Sequence, residues 1–216
     1  MAAPLPPGRV VGRAGFGLSV GDVSWAANDQ VAAVGAAGEE RTAIELGRIA
    51  ARPGGPTVLH DLAIPIPGFT ANIDHALVFG HRVVLIDTKK WKPGFYWTVA
   101  GRTRRGLEAV PHADRKTMVM AREAIVRHLA SRAPRAEVST PLLLIWPSRT
   151  DPALRTWAMA TPGAKALPAA KGLKHLASRR YRTSADPSVV AALTPLVASV
   201  KAARTGADNE TDFDFR

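Results

Sequence analysis

Between residues 57 and 101 the apolar positions fall in runs of four to eight, separated by glycine- or proline-bearing breaks. That pattern predicts short strands. Residues 57–64 form the first run. Ala76-Leu77-Val78-Phe79 and Val83-Val84-Leu85-Ile86, joined by Gly80-His81-Arg82, read as a hairpin, and the alternation in Phe95-Tyr96-Trp97-Thr98-Val99 gives another strand. On either side the period changes to helical. Glu39, Ala43, Leu46 and Ala50 share one helix face, ending near Ala51, and Met118, Ala121, Ile125 and Leu129 mark a long helix for which Asp114 is a cap. Residues 142–146 are wholly apolar, which predicts burial on both faces and hence parallel pairing through a helical crossover. Helix, strands, helix, strand is the order of an α/β sandwich, with a mixed central β-sheet flanked by helices.

Past Trp146 the pattern predicts a short strand at 156–160, a basic helix at 165–178, and a helix at 186–202 opened by Asp186-Pro187 and broken or kinked at Pro195. The division expected is a Pro/Gly-rich flexible leader at 1–20, a core at 21–150, a basic strand and helical C-terminal extension at 151–204, and an acidic flexible tail at 205–216. Glycines 8, 12, 15, 17 and 21 form no phosphate loop. Gly15-Phe16-Gly17 does not continue as a dinucleotide fingerprint, and no Gly-Lys-Ser/Thr occurs, so no nucleotide cofactor is expected.

The chemistry concentrates in the hairpin. Strand alternation turns Asp87 and Lys89 to one face and Thr88 to the other, and an antiparallel neighbour brings Asp74 beside them. Two carboxylates and a lysine are what a metal-dependent nuclease needs. Phosphodiester hydrolysis requires charge neutralisation at a phosphoryl oxygen and a hydroxide near neutral pH, and a divalent cation supplies both. Asp74, Asp87 and the carbonyl of Thr88 match the oxygen ligands of Mg2+ or Mn2+, and Lys89 is the fixed cation beside the attacking water or the scissile phosphate. The competing reading is an ordinary solvated strand end. Asp74 weighs against it, because a carboxylate at the mouth of an apolar strand is costly unless paired.

These residues resemble the nuclease-related domain, NERD, of the restriction-endonuclease-like PD-(D/E)xK superfamily. Gly35-Ala36-Ala37-Gly38-Glu39-Glu40 is similar to the family's glycine-glutamate helix opening, and Thr57-Val58-Leu59-His60-Asp61-Leu62 to its first strand. Asn72-Ile73-Asp74-His75 is similar to its Ile-Asp-His block, and Val84-Leu85-Ile86-Asp87-Thr88-Lys89, with Trp91 and Gly94, to its Asp/Glu-x-Lys block. Pro141-Leu142-Leu143-Leu144-Ile145-Trp146-Pro147 resembles a downstream strand. The resemblance implies a restriction-endonuclease-like core and nuclease activity, with Asp74, Asp87 and Lys89 as catalytic residues and Glu39 as the acidic residue of the preceding helix. The chain departs from the pattern in two places. The helix after the site often carries a glutamine in the family, whereas residues 114–131 contain none, and Lys90-Trp91-Lys92-Pro93 displaces the glycine after Lys89. Without the resemblance, Glu39 has a second reading as a carboxylate favouring the positive end of its helix.

Composition changes the picture in one respect. A net charge of +11 and a pI near 10.8 predict attraction to a polyanion, and the basic residues cluster: Lys89, Lys90, Lys92; Arg102, Arg104, Arg105; and Lys171 to Arg182. DNA is the expected partner, with RNA as the alternative; Lys90, Trp91, Lys92, Arg102, Arg104 and Arg105 are the expected nucleic-acid-binding residues. Trp91, flanked by lysines, could stack on a base or pack in the core. A chain of 216 residues suits one main domain. It has no cysteine, which excludes disulfides, thiolate catalysis and cysteine-bound zinc, and its six histidines show no metal-ligand spacing. With neither a signal segment nor a membrane span expected, the chain reads as cytoplasmic.

Overall fold

The computed structural model describes residues 5–16, 29–110, 113, 116–149 and 153–201. Asp114, all of the acidic tail and part of the leader fall outside them, so the cap and tail expectations do too.

The main sheet is mixed. Its strands are β1 (Val10–Val11), β2 (Thr57–Ala63), β3 (Asn72–Phe79), β4 (Arg82–Trp91), β8 (Glu137–Val138), β9 (Leu142–Pro147) and β11 (Lys165–Pro168). They lie in the order β1-β2-β3-β4-β9-β11, and β8 pairs with the start of β4. β2, β3 and β4 run antiparallel, whereas β4, β9 and β11 are parallel. The fully apolar run at 142–146 therefore does what its burial demands. Val10 and Val11, expected in a flexible leader, instead pair in parallel with Val58 and Leu59.

Both faces of this sheet are covered. Helix α1 (Asp29–Ala50) contributes Leu46, Ile49 and Ala50, and α3 (Ala169–Leu176) contributes Leu173 and Leu176, to a core with Val58, Leu77, Ile86 and Leu144. On the opposite face α2 (Thr117–Arg132) and α4 (Pro187–Leu193) pack Met118, Ile125, Leu129, Val189 and Leu193 against Leu59, Val78 and Leu85. A buried leucine of this kind is worth about 2 kcal/mol relative to exposure. Stripes on the helices thus meet alternate residues of the strands, and the architecture is the α/β sandwich with a helical C-terminal part.

Two expectations need correction. Residues 165–178 were expected to be one helix, but Lys165–Pro168 forms a parallel strand on β9, and the helix begins only at Ala169. Proline at 168 fits a strand end, and it offers no N–H to a helix interior. The buried line of α1 runs Gly38, Thr42, Leu46, Ile49 and Ala50, which leaves Glu39 at its flank. By contrast α4 begins as expected, with the Asp186 carboxylate accepting the Ser188 N–H at 2.9 Å, and a 3-10 turn at Thr194–Leu196 marks Pro195.

A second, four-stranded sheet leaves the end of β4. It comprises β5 (Gly94–Val99), β6 (Arg102–Arg105), β7 (Glu108–Ala109) and β10 (Leu154–Ala158), in the order β10-β5-β6-β7.

Candidate active site

The site grows out of strand register. β2 pairs His60 with His75 and Leu62 with Ile73, so Asp61 stands opposite Asp74; β4 pairs Ile86 with His75, so Asp87 occupies the next position, opposite Asp74. Three aspartates thus occupy one row of register positions across three adjacent strands, at a point where Asp61, at φ +55°, leaves the extended conformation. Here the backbone ladder between β3 and β4 gives way to a side chain: Oδ2 of Asp74 accepts the Thr88 N–H at 2.6 Å.

Lys89 closes the row from above. Its Nζ lies 2.7 Å from Oδ2 and 2.9 Å from Oδ1 of Asp87, and also donates to the Thr88 carbonyl at 3.3 Å. The side chain of Asp87 is only 15% exposed, against 46% for Lys89, so the carboxylate is held by an ammonium that solvent reaches. Thr88 turns the other way, as alternation requires. Its hydroxyl donates to Oγ1 of Thr42 at 3.2 Å, and the same Thr42 oxygen takes the Trp146 Nε1–H at 2.8 Å and donates to the Gly38 carbonyl at 3.1 Å. One buried hydroxyl, three residues after Glu39, therefore fastens α1 to β4 and β9. Thr88 thus meets the site through its backbone, its N–H on Asp74 and its carbonyl on Lys89.

Residues 34–138 match the family model described as the nuclease-related domain. That segment, a little under half of the chain, matches the NERD family. No curated protein and no solved structure matches it.

The NERD segment contains every acidic residue of the row together with Glu39 and Lys89, and its electrostatics tie them into one unit. Burial pushes the Glu39 carboxyl up to about 7, against the pull of Lys89, with Asp61 and Asp87 adding to the rise. Asp74 is raised well above the carboxylate range by burial, then by Asp87 and Glu39; Lys89 and the Thr88 N–H oppose this. For Lys89 burial acts downward, yet Asp87, Asp74 and Glu39 outweigh it and hold the ammonium above its usual value. Glu39 thus feels the charges of Lys89, Asp61 and Asp87. Among the described residues no three His, Asp or Glu side chains converge closely enough to cage a metal ion.

Asp61 escaped the sequence reading. It is buried, adopts φ +55° and accepts from Asn72 Nδ2 at 2.8 Å. An aspartate inside an apolar strand, costly to bury without a partner, was the available signal. His75 is fully buried, and its Nδ1 lies 2.8 Å from Nδ1 of His60 inside the sheet.

The basic candidates divide. Lys90 is partly buried on the α1 face beside Gly38, away from Asp87 and Lys89. Trp91 stacks on Tyr96, with ring centroids 5.2 Å apart, and packs against the Leu143 and Ile145 cluster, so it is a core residue before it is a base platform. Lys92 and Arg102 are exposed. Arg104 donates to the Leu107 carbonyl at 3.0 Å, and Arg105 is ion-paired with Glu108. No helix among the described residues is long and apolar enough to cross a membrane.

Proposed function

We propose that this chain hydrolyses DNA phosphodiester bonds with a divalent cation. One observation carries the reading: Asp74 and Asp87 share a cross-strand row, with Lys89 bound to Asp87. The donor set fits Mg2+ or Mn2+, since it is all oxygen, and two carboxylates with the Thr88 carbonyl are enough for an ion that keeps several waters. A bound cation supplies charge neutralisation at the phosphate and a nucleophile at neutral pH. Burial raises Asp74 first, and a bound cation would relieve the further rise that Asp87 and Glu39 add.

The residues then divide the work. Asp74 and Asp87 would hold the cation, and the Thr88 N–H fixes one oxygen of the Asp74 carboxylate. Lys89, held protonated by three carboxylates, stabilises the water that attacks and the charge that builds on the phosphoryl oxygens. Glu39, with a carboxyl near 7, can take or return a proton. Water adds to phosphorus, the bond to the leaving oxygen breaks, and no covalent enzyme intermediate forms.

A second reading is a nucleic-acid-binding module that does not cut. It is favoured by the Lys89 ammonium sitting on both oxygens of Asp87. Incubating circular and linear DNA with Mg2+ or Mn2+ separates the two, beside Asp87→Ala and Lys89→Ala. Metal-dependent cleavage lost in both variants supports the nuclease. Salt-sensitive binding without cleavage supports the module, and equal cleavage by all three proteins sinks the assigned site.

A further inference from the structure

The second sheet is built with one face in and one face out. Tyr96, Thr103 and Thr156 are buried, and the Thr98 and Thr103 hydroxyls lie 3.2 Å apart. By strand alternation, the other face carries Phe95 and Trp97 of β5. Register adds arginines to that face, since Arg104 pairs with Trp97, Arg102 with Val99, and Arg155 of β10 with Phe95. Trp157 joins them: its ring lies 5.1 Å from that of Phe95, tilted by 34°, and the residue is 80% exposed.

Folding does not explain this face. A tryptophan left mostly in water contributes little to the core, and exposed large apolar side chains in a cluster mark contact surfaces. Trp97 already spends its Nε1–H on the Gly106 carbonyl at 2.8 Å, which leaves its ring rather than its polar edge for a ligand. The charges interleaved with these rings, Arg102, Arg104 and Arg155, are all positive.

We infer that the Phe95, Trp97 and Trp157 face of the second sheet binds single-stranded nucleic acid, with unpaired bases on the rings and phosphates on the arginines. The alternation of π faces with cations is what a strand of unpaired nucleotides complements. A duplex keeps its bases stacked on one another, so it can satisfy the arginines while leaving Trp157 bare. The location is apt. β5 begins at Gly94, which the chain keeps within about 17 Å of Lys89, so a strand seated here passes close to the aspartate row. Beside β10 a groove of about 650 Å³, lined by Arg155, Trp157, Lys165 and Lys171, continues the basic track. The inference deepens the proposed nuclease activity and rests on that reading for the choice of a polynucleotide as the polyanion.

The test uses the full chain in EDTA, so that binding is read without cleavage. Fluorescence anisotropy compares labelled oligo(dT), oligo(U) and a hairpin duplex, each of about 15 nucleotides, a length matched to sites of this type. Either single strand should bind more tightly than the duplex. Trp157→Ala should weaken single-strand binding about tenfold, the loss of roughly one base stack, and duplex binding less than twofold. Trp157→Phe should retain most of the affinity, and Arg155→Glu should lower the salt slope by about one. Both positions are solvent-exposed, and unchanged thermal melts establish that the variants fold. Equal affinity for strands and duplex, or Trp157→Ala binding like the parent, overturns the inference. Cleavage is scored separately: its absence with Trp157-dependent strand binding removes the nuclease reading alone, and its presence with Trp157-independent binding removes this one alone.

Discussion

Oδ2 of Asp74 accepts the Thr88 N–H at 2.6 Å, just where the β3 and β4 ladder stops at the His75 and Ile86 pair. Asp74 therefore both continues the sheet and faces the site. Asparagine can keep an acceptor toward Thr88, whereas alanine leaves that N–H without one. Asp74→Ala should lose about 1–3 kcal/mol in denaturant melts, the cost of an orphaned buried donor. Asp74→Asn should unfold close to the parent and yet show no metal-dependent cleavage. Equal stability of the two variants would remove the structural half of this role.

Lys89 supplies the positive charge against which Asp87, Asp74 and Glu39 are balanced. Replacing it by methionine keeps the stem and removes the charge. In EDTA, Lys89→Met should be less stable by about 1 kcal/mol, a figure kept low because the Lys89 side chain is about half exposed. Millimolar Mn2+ should then raise its melting temperature more than that of the parent, since the cation enters a site with no competing ammonium. No Mn2+ shift in either protein would count against a metal at Asp74 and Asp87. On the nuclease reading, cleavage by Lys89→Met should fall by about 10²- to 10³-fold.

How much of this was legible in the chain depends on what each residue answers to. The aspartate at 87 and the lysine at 89 could be read because strand alternation is fixed geometry, and the apolar runs around them left little choice of element. Residues 165–168 were misread because Lys165-Ala166-Leu167-Pro168 is too short for its period to decide, and only pairing with β9 makes it a strand. Asp61 was missed because its partner is set by register between strands, which sequence spacing does not encode. Trp157 looked like one more strand residue; its exposure depends on a parallel pairing with β5 across some sixty residues of chain.

Thr42 is the hinge pin between α1 and the sheet. Its hydroxyl accepts from Trp146 and Thr88 and donates to Gly38. Valine has the same shape without the oxygen, so Thr42→Val leaves two buried donors unsatisfied while preserving volume. A loss of about 2–4 kcal/mol is expected in denaturant melts. Cleavage should fall as well, because Glu39 rides on the same turn. A melt unchanged by the substitution would mean that α1 is held by its leucines alone.

The buried His60 and His75 pair predicts acid sensitivity. Burial drops His60 to about 4 and His75 well below its ordinary value, the latter helped by His60. Unfolded, both take a proton near 6.5. The neutral pair therefore contributes stability fully present above that value and lost as pH falls toward 4 and below. His60→Leu with His75→Leu removes the titration and should flatten this acid limb in melts followed from pH 7 to pH 4.

Glu39 works in the opposite sense. The unfolded carboxyl ionises near 4.5, whereas the native one keeps its proton until about 7. The native state thus binds the proton more tightly, and the stability this gives is complete below 4.5 and lost as pH rises through 7. Glu39→Gln does not titrate there. In EDTA it should match the parent near pH 4.5 and exceed it by pH 8 by on the order of 2 kcal/mol, reduced to the extent that water screens the site. Adding Mg2+ should narrow the gap at pH 8, because a cation at Asp74 and Asp87 would favour the ionised form of the nearby Glu39 carboxyl. If the parent instead gains stability between pH 5 and 8 with the histidine pair removed, Glu39 is not held protonated, and its assignment as the proton-handling group of the row fails.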